Sequence, residues 1–160
     1  LMAANFFEKL KSIRAFVFDV DGVWTDGQLL LLDDGLELRR MDVKDGYAAK
    51  RALEEQKRLV IISGKTSEGL EQRFQALGIQ HVFLGETYKR SVLEQFMIDF
   101  NLGKEEILTM GDDLPDRDML KASGVAACPR DAAPEIAHIC DYHSDKPGGK
   151  GCVRDVIEKP

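Results

Sequence analysis

Cysteine is scarce in this 160-residue sequence, which contains only Cys128, Cys140 and Cys152. These three residues lie far apart and form no Cys-x-x-Cys pair, so their spacing does not suit a structural zinc site. A disulfide-rich secreted domain is equally disfavoured, and we expect three reduced thiols in a cytoplasmic protein. Residues 1–11 also lack the apolar core followed by small residues that is typical of a secretion signal.

Positive charge is in short supply as well. The chain has 22 Lys and Arg against 28 Asp and Glu, which gives a formal net charge of −6. Nucleic acid is therefore not expected as a partner, because neutralising its phosphates requires a basic surface. No apolar run approaches the roughly 20 residues that cross a bilayer, so no membrane partner is expected either. A small anionic substrate stays compatible, since a local basic pocket can oppose the overall charge.

Apolar strand patterns and amphipathic helix patterns alternate along the chain, which is typical of a parallel sheet covered by helices. Strands are predicted over 14–19, 58–63, 81–84, 106–110, 124–127 and 140–142. Helices are predicted over 46–56, 67–77, 89–101, 117–122 and 132–138, and a final short helix after a flexible glycine-rich loop over 147–151. With no linker and no repeat, residues 1–160 are expected to form one Rossmann-like, three-layer α/β/α domain with a mostly parallel sheet.

Two strand-like runs on either side of an Asp-Gly turn at 33–35 predict a protruding β-hairpin. The first run, 28–32, contains four consecutive leucines and is apolar on both faces. A surface of this kind is unfavourable in water, so we expect the hairpin to pack against another subunit. The alternative is that the hairpin folds back onto its own domain.

Polar residues follow several of the predicted strands at the point where each strand ends. They are Asp19 and Asp21 after the first strand, Ser63 after the second, and Asp112 and Asp113 after the fourth. Lys89 begins a helix that follows another strand. Because parallel strands place their carboxyl ends at one edge of the sheet, where ligands bind in open α/β sheets, we expect these side chains to converge.

The converging residues are suited to phosphoryl transfer. Carboxylates that repel one another need a cation or a proton, and Mg²⁺ binds carboxylates, waters and substrate oxygens. The candidate ligands are the carboxylates of Asp19 and Asp112 and the backbone carbonyl of Asp21. One carboxylate can attack phosphorus to form an aspartyl-phosphate, and another can protonate the leaving oxygen and later deprotonate water. Ser63 and Lys89 can stabilise the phosphoryl oxygens.

This set of residues resembles the four motifs of the haloacid dehalogenase-like phosphatases. Residues 18–22 are similar to the first motif, Ser63 to the second, Lys89 to the third and 111–116 to the fourth. The resemblance implies that Asp19 is the nucleophile and Asp21 the general acid and base. It also implies that Asp113 is an outer partner, contacting Lys89.

Within this superfamily the chain is similar to a branch without a cap domain, the 3-deoxy-D-manno-octulosonate 8-phosphate (KDO 8-phosphate) phosphatases. Only the hairpin separates Asp21 from Ser63, and further matches lie at 22–27, 43–47 and 148–154. The resemblance implies Mg²⁺-dependent hydrolysis of a sugar-acid phosphate. It also implies a homotetramer in which a neighbour's hairpin covers the site and the glycine-rich tail can enter it.

By the same resemblance, the substrate-binding residues are Asp21, Asp42, Lys44, Asp45, Gly46, Lys50, Lys65 and Arg73. Members of this branch often carry Arg at positions 44, 50 and 65 and Asn at position 42. Arg grips a carboxylate with a planar fork whereas Lys acts as a point charge, so the identity of the sugar stays open. The alternatives are a nine-carbon sugar-acid (KDN or sialic acid) 9-phosphate as substrate, a catalytically silent tetramerisation module, and an ordinary charged surface for the three lysines.

Overall fold

A central six-stranded sheet organises the computed structural model, which describes residues 2–160. The strands of this part of the chain are β1 (Ala15–Phe18), β2 (Leu30–Leu31), β3 (Glu37–Leu38), β4 (Arg58–Ile62), β5 (His81–Phe83), β6 (Ile107–Met110), β7 (Val125–Cys128) and β8 (Tyr142–His143). Its α-helices are α1 (Met2–Lys11), α2 (Val43–Glu54), α3 (Glu68–Ala76), α4 (Lys89–Asp99), α5 (Arg117–Lys121), α6 (Pro134–Ile139) and α7 (Cys152–Ile157).

The large sheet has the strand order β5-β4-β1-β6-β7-β8, and neighbouring strands run parallel throughout. Strand β1 lies at the centre, where Phe18 pairs with Ile61 of β4 on one side and Met110 of β6 on the other. All four residues of β1 are buried, as expected of a parallel strand covered on both faces. The predicted three-layer α/β/α architecture is confirmed.

Alternate residues of the central strand point into two different hydrophobic cores. Phe16 and Phe18 pack into one core with residues of α1, α2, α3 and α7. Ala15 and Val17 point to the other face, where they pack with residues of α4 and α5. The period-2 alternation of strand side chains therefore places helices on both faces of the sheet. None of the helices within residues 2–160 is long and apolar enough to cross a membrane.

Most of the predicted elements form within a few residues of their expected bounds, and the differences have local causes. Helix α2 begins at Val43 rather than at 46, because the Asp42 carboxylate accepts from the backbone N–H of Lys44 at 2.8 Å and caps the first turn. Helix α6 begins at Pro134, whose missing N–H costs nothing at a first helical position. Helix α1, for which the sequence offered no prediction, packs Leu10 into the main core.

The predicted hairpin forms from the antiparallel strands β2 and β3, with Leu30 opposite Leu38. Gly35 closes its turn with a φ of +91°, a conformation that glycine adopts without strain. The leucines do not fold back onto their own domain: Leu30 is 62% exposed and Leu31 is 69% exposed. Within a single chain the hairpin therefore presents an uncovered apolar surface.

The glycine-rich loop over 147–151, expected to be flexible, instead packs against the turn that follows β1. The backbone N–H of Gly149 donates to the carbonyl of Val23 at 2.9 Å. Gly148 is buried, and a Cβ atom there would lie 2.0 Å from the carbonyl oxygen of Gly22. Only glycine permits this close approach of two backbones, so the loop is a fixed neighbour of the turn.

Candidate active site

The turn after β1 carries the first two acidic residues of the site. Three successive backbone N–H groups, those of Val23, Trp24 and Thr25, donate to the carbonyl of Val20 and close the turn. The Trp24 side chain is 1% exposed and packs edge-on against Phe18, with the ring centroids 5.6 Å apart. The turn is thereby anchored in the core, which gives the adjacent acidic side chains a defined position.

Asp19 and Asp112 meet between β1 and β6. The chain passes from β1 to β4 and β5 on one side of the sheet and then returns to β6 on the other, so this is the topological switch point. Gly22 is required here for two reasons: its φ is +87°, and a Cβ atom would lie 1.8 Å from Oδ2 of Asp112. The predicted convergence of the two strand ends is therefore seen in the structure.

A third carboxylate, that of Asp116, completes an acidic cluster. Oxygen atoms of Asp19, Asp112 and Asp116 all lie within 4.8 Å of one another. Asp116 is 1% exposed and its Oδ2 accepts from the backbone N–H of Asp112 at 3.0 Å. The side chain of Asp116 is thereby fixed beside the other two.

Lys89, the first residue of α4, lies inside this cluster. Its Nζ atom donates to Oδ1 of Asp19 and to Oδ1 of Asp116, both at 2.7 Å, and its side chain is 6% exposed. Burial lowers the pKa of Lys89, but attraction by the two carboxylates outweighs burial and the net shift is upward. Lys89 is therefore a fixed positive charge in the site.

One lysine does not balance three carboxylates. Burial, reinforced by repulsion from Asp116, raises the pKa of Asp19 well above its ordinary value despite the nearby Lys89. Burial and repulsion from Asp19 and Asp116 raise the pKa of Asp112 in the same way. A cluster of oxygen ligands with excess negative charge fits a divalent cation that prefers oxygen, because the cation would replace the protons.

The expected contact between Asp113 and Lys89 is not the one that forms. Asp113 is exposed, and its carboxylate accepts from the backbone N–H of Leu114 at 2.8 Å, capping a short 3₁₀ turn. Asp116, one turn further on, is the partner of Lys89. The sequence offered no clear signal for this choice, because the segment between Asp112 and Asp116 is extended at Asp113 and 3₁₀-helical over Leu114–Asp116.

We expect Asp116→Asn and Asp113→Asn to behave very differently. Asp116→Asn should raise the Mg²⁺ concentration for half-maximal phosphate release by roughly tenfold or more, because the negative charge that fixes Lys89 and the Asp112 backbone in the cluster is lost. Asp113→Asn should change it less than about threefold, since Asn caps helical turns as well as Asp does. Titrating both variants with Mg²⁺ checks this, and equal effects would contradict the role of Asp116.

Two further predicted residues, Asp21 and Ser63, also lie at this edge of the sheet. The Asp21 carboxylate accepts two hydrogen bonds from the Arg39 guanidinium, from Nε at 2.7 Å and from Nη2 at 3.3 Å. Arg39 is not among the predicted site residues, and its place directly after the hairpin offers no signal for this contact. Ser63 is 2% exposed, and its hydroxyl accepts from the backbone N–H of Lys65 at 3.2 Å. The hydroxyl hydrogen of Ser63 is free to be donated to a ligand.

The predicted substrate-binding residues are not alike in their surroundings. Lys44, Lys50 and Lys65 are exposed, whereas Asp42 is half-buried and caps α2. Arg73 is half-buried beside Gly46. A Cβ atom added to Gly46 would lie 2.8 Å from the Nη2 atom of Arg73.

Asp45 differs from the other predicted substrate-binding residues because it is fully buried. Its Oδ1 atom accepts from the backbone N–H of Arg154 at 2.9 Å, at the start of α7. Its Oδ2 atom has no hydrogen-bond partner among the described residues. This geometry favours a structural role, tying α2 to α7.

Asp45 should make the stability of the protein depend on pH. Burial raises the pKa of Asp45 from 3.8 to about 6. At pH values between these two, the folded protein therefore keeps a proton on Asp45 that the unfolded chain has released. The free energy of unfolding should therefore fall as the pH rises from about 4 to about 6, by up to about 3 kcal/mol from this residue. Asp45→Asn keeps the acceptor for Arg154 and should remove this contribution.

Urea unfolding of the wild type and Asp45→Asn at pH 5 and pH 7.5 measures the effect. The variant should gain stability relative to the wild type at the higher pH. Asp45→Ala, which loses the acceptor, should be destabilised at both pH values. A difference between wild type and Asp45→Asn that does not change with pH would contradict the assignment.

The family of enzymes to which this chain belongs follows from its similarity to known proteins. A family model described as haloacid dehalogenase-like hydrolase matches residues 81–154. The 3-deoxy-D-manno-octulosonate 8-phosphate phosphatase of Escherichia coli (strain K12) is 31% identical over 157 residues, which cover 98% of this chain and 84% of that protein. The chain belongs to the haloacid dehalogenase-like hydrolases and, within them, to the family of these phosphatases. It is a phosphoric monoester hydrolase.

Two solved structures of the same family superpose closely on this chain. The phosphatase of Moraxella catarrhalis, in complex with magnesium ion, phosphate ion and KDO, has a TM-score of 0.93 and 30% identity, covering 96% of this chain and 88% of that one. The cobalt-bound phosphatase of Haemophilus influenzae has a TM-score of 0.90 and 31% identity, covering 94% of this chain and 88% of that one.

Proposed function

We propose that this chain, as one phosphatase domain over residues 1–160, hydrolyses KDO 8-phosphate to KDO and phosphate with the help of Mg²⁺. The observation that carries the proposal is the largely buried cluster of Asp19, Asp112, Asp116 and Lys89 at the topological switch point of the sheet. The names of the relatives and the KDO bound to the Moraxella catarrhalis phosphatase support the choice of sugar.

Asp19 is the proposed nucleophile. One of its oxygens forms a bond to phosphorus as the bond from phosphorus to the sugar oxygen breaks, which leaves an aspartyl-phosphate. Lys89, at 2.7 Å from Oδ1 of Asp19, keeps the carboxylate in one orientation and stabilises its ionised form.

Asp21 is the proposed general acid and base. It donates a proton to the sugar oxygen as that oxygen leaves, and it then takes a proton from the water molecule that attacks phosphorus. This attack breaks the bond between phosphorus and Asp19, releases phosphate, and restores Asp19 as a carboxylate and Asp21 as a protonated carboxylic acid. The Ser63 hydroxyl, buried at the end of β4, donates to a phosphoryl oxygen.

The carboxylates of Asp19, Asp112 and Asp116 would hold the Mg²⁺ ion, together with the backbone carbonyl of Asp21. When bound, the ion supplies positive charge that offsets the repulsion between the phosphoryl oxygens and the nucleophile.

A substrate panel tests the choice of sugar. We expect at least about tenfold higher kcat/KM for KDO 8-phosphate than for KDN 9-phosphate or a sialic acid 9-phosphate, since a loss of roughly 1.4 kcal/mol in binding the transition state is enough. Protein carrying Asp19→Asn, purified in parallel, corrects for contaminating phosphatase. Equal values for the eight- and nine-carbon substrates would leave the choice of sugar without support.

The nine-carbon substrate stays the second candidate because lysines stand at positions 44, 50 and 65. All three are exposed, so their ammonium groups can reach ligands of more than one length. The buried lysine between two carboxylates argues against a catalytically inactive tetramerisation module, because assembly alone does not require such a group.

A homotetramer in which the hairpin covers a neighbouring site is part of the proposal. The exposed leucines of β2 and the adjoining turn support it, because an apolar surface of this kind is unfavourable in water. Light scattering should give four times the chain mass, and Leu31→Asp should dissociate the assembly. A wild-type monomer would contradict this part of the proposal alone. The cytoplasmic location stays a prediction.

A further inference from the structure

Arg39 joins the hairpin to the proposed acid and base. It follows β3 directly, and its guanidinium binds both oxygens of Asp21, with Nε at 2.7 Å from Oδ1 and Nη2 at 3.3 Å from Oδ2. The same Nη2 atom lies 3.5 Å from a carboxylate oxygen of Glu37. The side chain of Arg39 is 6% exposed and that of Asp21 is 28% exposed, so this is a partly buried pair rather than an ion pair on the open surface.

A two-point contact of this kind constrains a carboxylate more than a single hydrogen bond does. The planar fork of Arg fixes both the plane of the Asp21 carboxyl group and its distance from the backbone of the hairpin. The other side-chain contact described for this carboxylate is with Thr25, whose hydroxyl lies 3.5 Å from Oδ1. Arg39 is therefore the main determinant of where Asp21 points.

We propose that Arg39 is a positioning residue that aims Asp21 at the leaving oxygen of the substrate. Oδ1, held at the shorter distance, is the anchored oxygen, and Oδ2, with the longer contact, carries the proton to the leaving oxygen and accepts the proton from water. The hairpin thereby takes part in proton transfer within its own chain. This inference rests on the proposed function, because it requires Asp21 to be the acid and base.

The leaving group of the substrate separates this role from simple anchoring of the hairpin. A sugar alkoxide leaves poorly unless it is protonated, whereas p-nitrophenolate leaves without a proton. Because kcat/KM reports the steps up to departure of the leaving group, Arg39→Met should lower kcat/KM on KDO 8-phosphate by roughly 10²-fold, the scale of general acid catalysis, and lower kcat/KM on p-nitrophenyl phosphate less than about threefold. Arg39→Lys, which keeps the charge but loses the fork, should fall between Arg39→Met and the wild type on the sugar phosphate.

Arg14→Met is the control. The Arg14 side chain is 73% exposed, precedes β1 at the end opposite the site, and pairs with a carboxylate oxygen of Glu106 at 3.1 Å. Both substrates should be hydrolysed by this variant within about twofold of the wild-type rate, as is usual for exposed ion pairs of little energetic weight. In a second measurement, added guanidinium should raise the turnover of the sugar phosphate by Arg39→Ala. It should not raise the turnover by the wild type.

The outcomes distinguish a failure of the positioning role from a failure of the proposed function. Equal losses of kcat/KM on both substrates, or no loss on either, would overturn the positioning role of Arg39 while leaving the proposed function intact. Wild-type protein that releases phosphate from p-nitrophenyl phosphate but from no sugar phosphate would instead overturn the proposed function, and the positioning role with it. If Arg39→Met does not fold, two other measurements decide between the outcomes. They are the ratio of kcat/KM for the two substrates in Arg39→Lys and the rescue of Arg39→Ala by guanidinium.

Discussion

Asp19→Asn should abolish phosphate release, with kcat lower by roughly 10⁴-fold or more, as is common when a nucleophile is removed. An amide oxygen does not attack phosphorus at a useful rate, and no other carboxylate in the cluster follows β1 at the switch point. Phosphate release from KDO 8-phosphate and from p-nitrophenyl phosphate should fall together, because both substrates need the nucleophile. Acid-quenched wild-type enzyme should carry phosphate on Asp19, and the variant should carry none.

The loss of activity in Asp19→Asn should not come from unfolding. Asn has the shape of Asp, and the change removes one of three crowded carboxylates, so metal-free variant protein should melt no lower than the wild type. Asp145→Asn is the control, since the Asp145 carboxylate is 77% exposed and should change turnover less than twofold by our estimate. Turnover retained by Asp19→Asn would contradict the assignment of the nucleophile.

Lys89→Met should lower both stability and activity. The substitution leaves the buried carboxylates of Asp19 and Asp116 without their shared positive partner. Breaking a buried ion pair by removing one side costs about 3–5 kcal/mol, so the free energy of unfolding in EDTA should fall by about that amount. Turnover should fall by at least about 10²-fold, because the orientation of the nucleophile and a charge in the transition state are lost together.

A double-mutant cycle identifies the cause of the Lys89→Met effect. If unpaired negative charge is responsible, the double variant Lys89→Met/Asp116→Asn should be more stable than Lys89→Met alone. Lys65→Met, which removes an exposed lysine next to the same edge of the sheet, should change stability by less than about 0.5 kcal/mol. Additive losses in the double variant would show that Lys89 contributes by packing rather than by charge.

The parts of the site that the sequence predicts correctly are those that depend on strand ends. Asp19 and Asp112 each follow an apolar strand. Parallel pairing of β1 with β6 brings the ends of these two strands together, regardless of how the helices pack. Lys89 lies at the start of a helix whose apolar stripe, including Leu93 and Phe96, orients it against the sheet. The periodicity that predicts strands and helices is encoded locally, and with parallel pairing it is enough to bring the ends of these strands to one edge of the sheet.

Short-range geometry within a motif was not predictable in the same way. Asp113 and Asp116 are both acidic and lie within one short segment, and the residue types do not distinguish them. The 3₁₀ turn over Leu114–Asp116 directs Asp116 inward to Lys89 and leaves Asp113 as an exposed cap. The direction of a side chain in a single turn depends on which backbone N–H groups are left unpaired, and the folded structure decides that.

By itself, the sequence determined the class of fold, the hairpin in place of a cap, and the acidic edge of the sheet with its phosphatase chemistry. Tertiary structure alone decided that Arg39 binds Asp21, that Asp45 is buried against α7, and that the loop around Gly148 packs against the turn at Gly22. Each of these contacts joins residues from 18 to more than 100 positions apart, as from Asp45 to Arg154. Alternation of residue types reports on a strand or a helix, but it carries no information about which distant loop will lie against it.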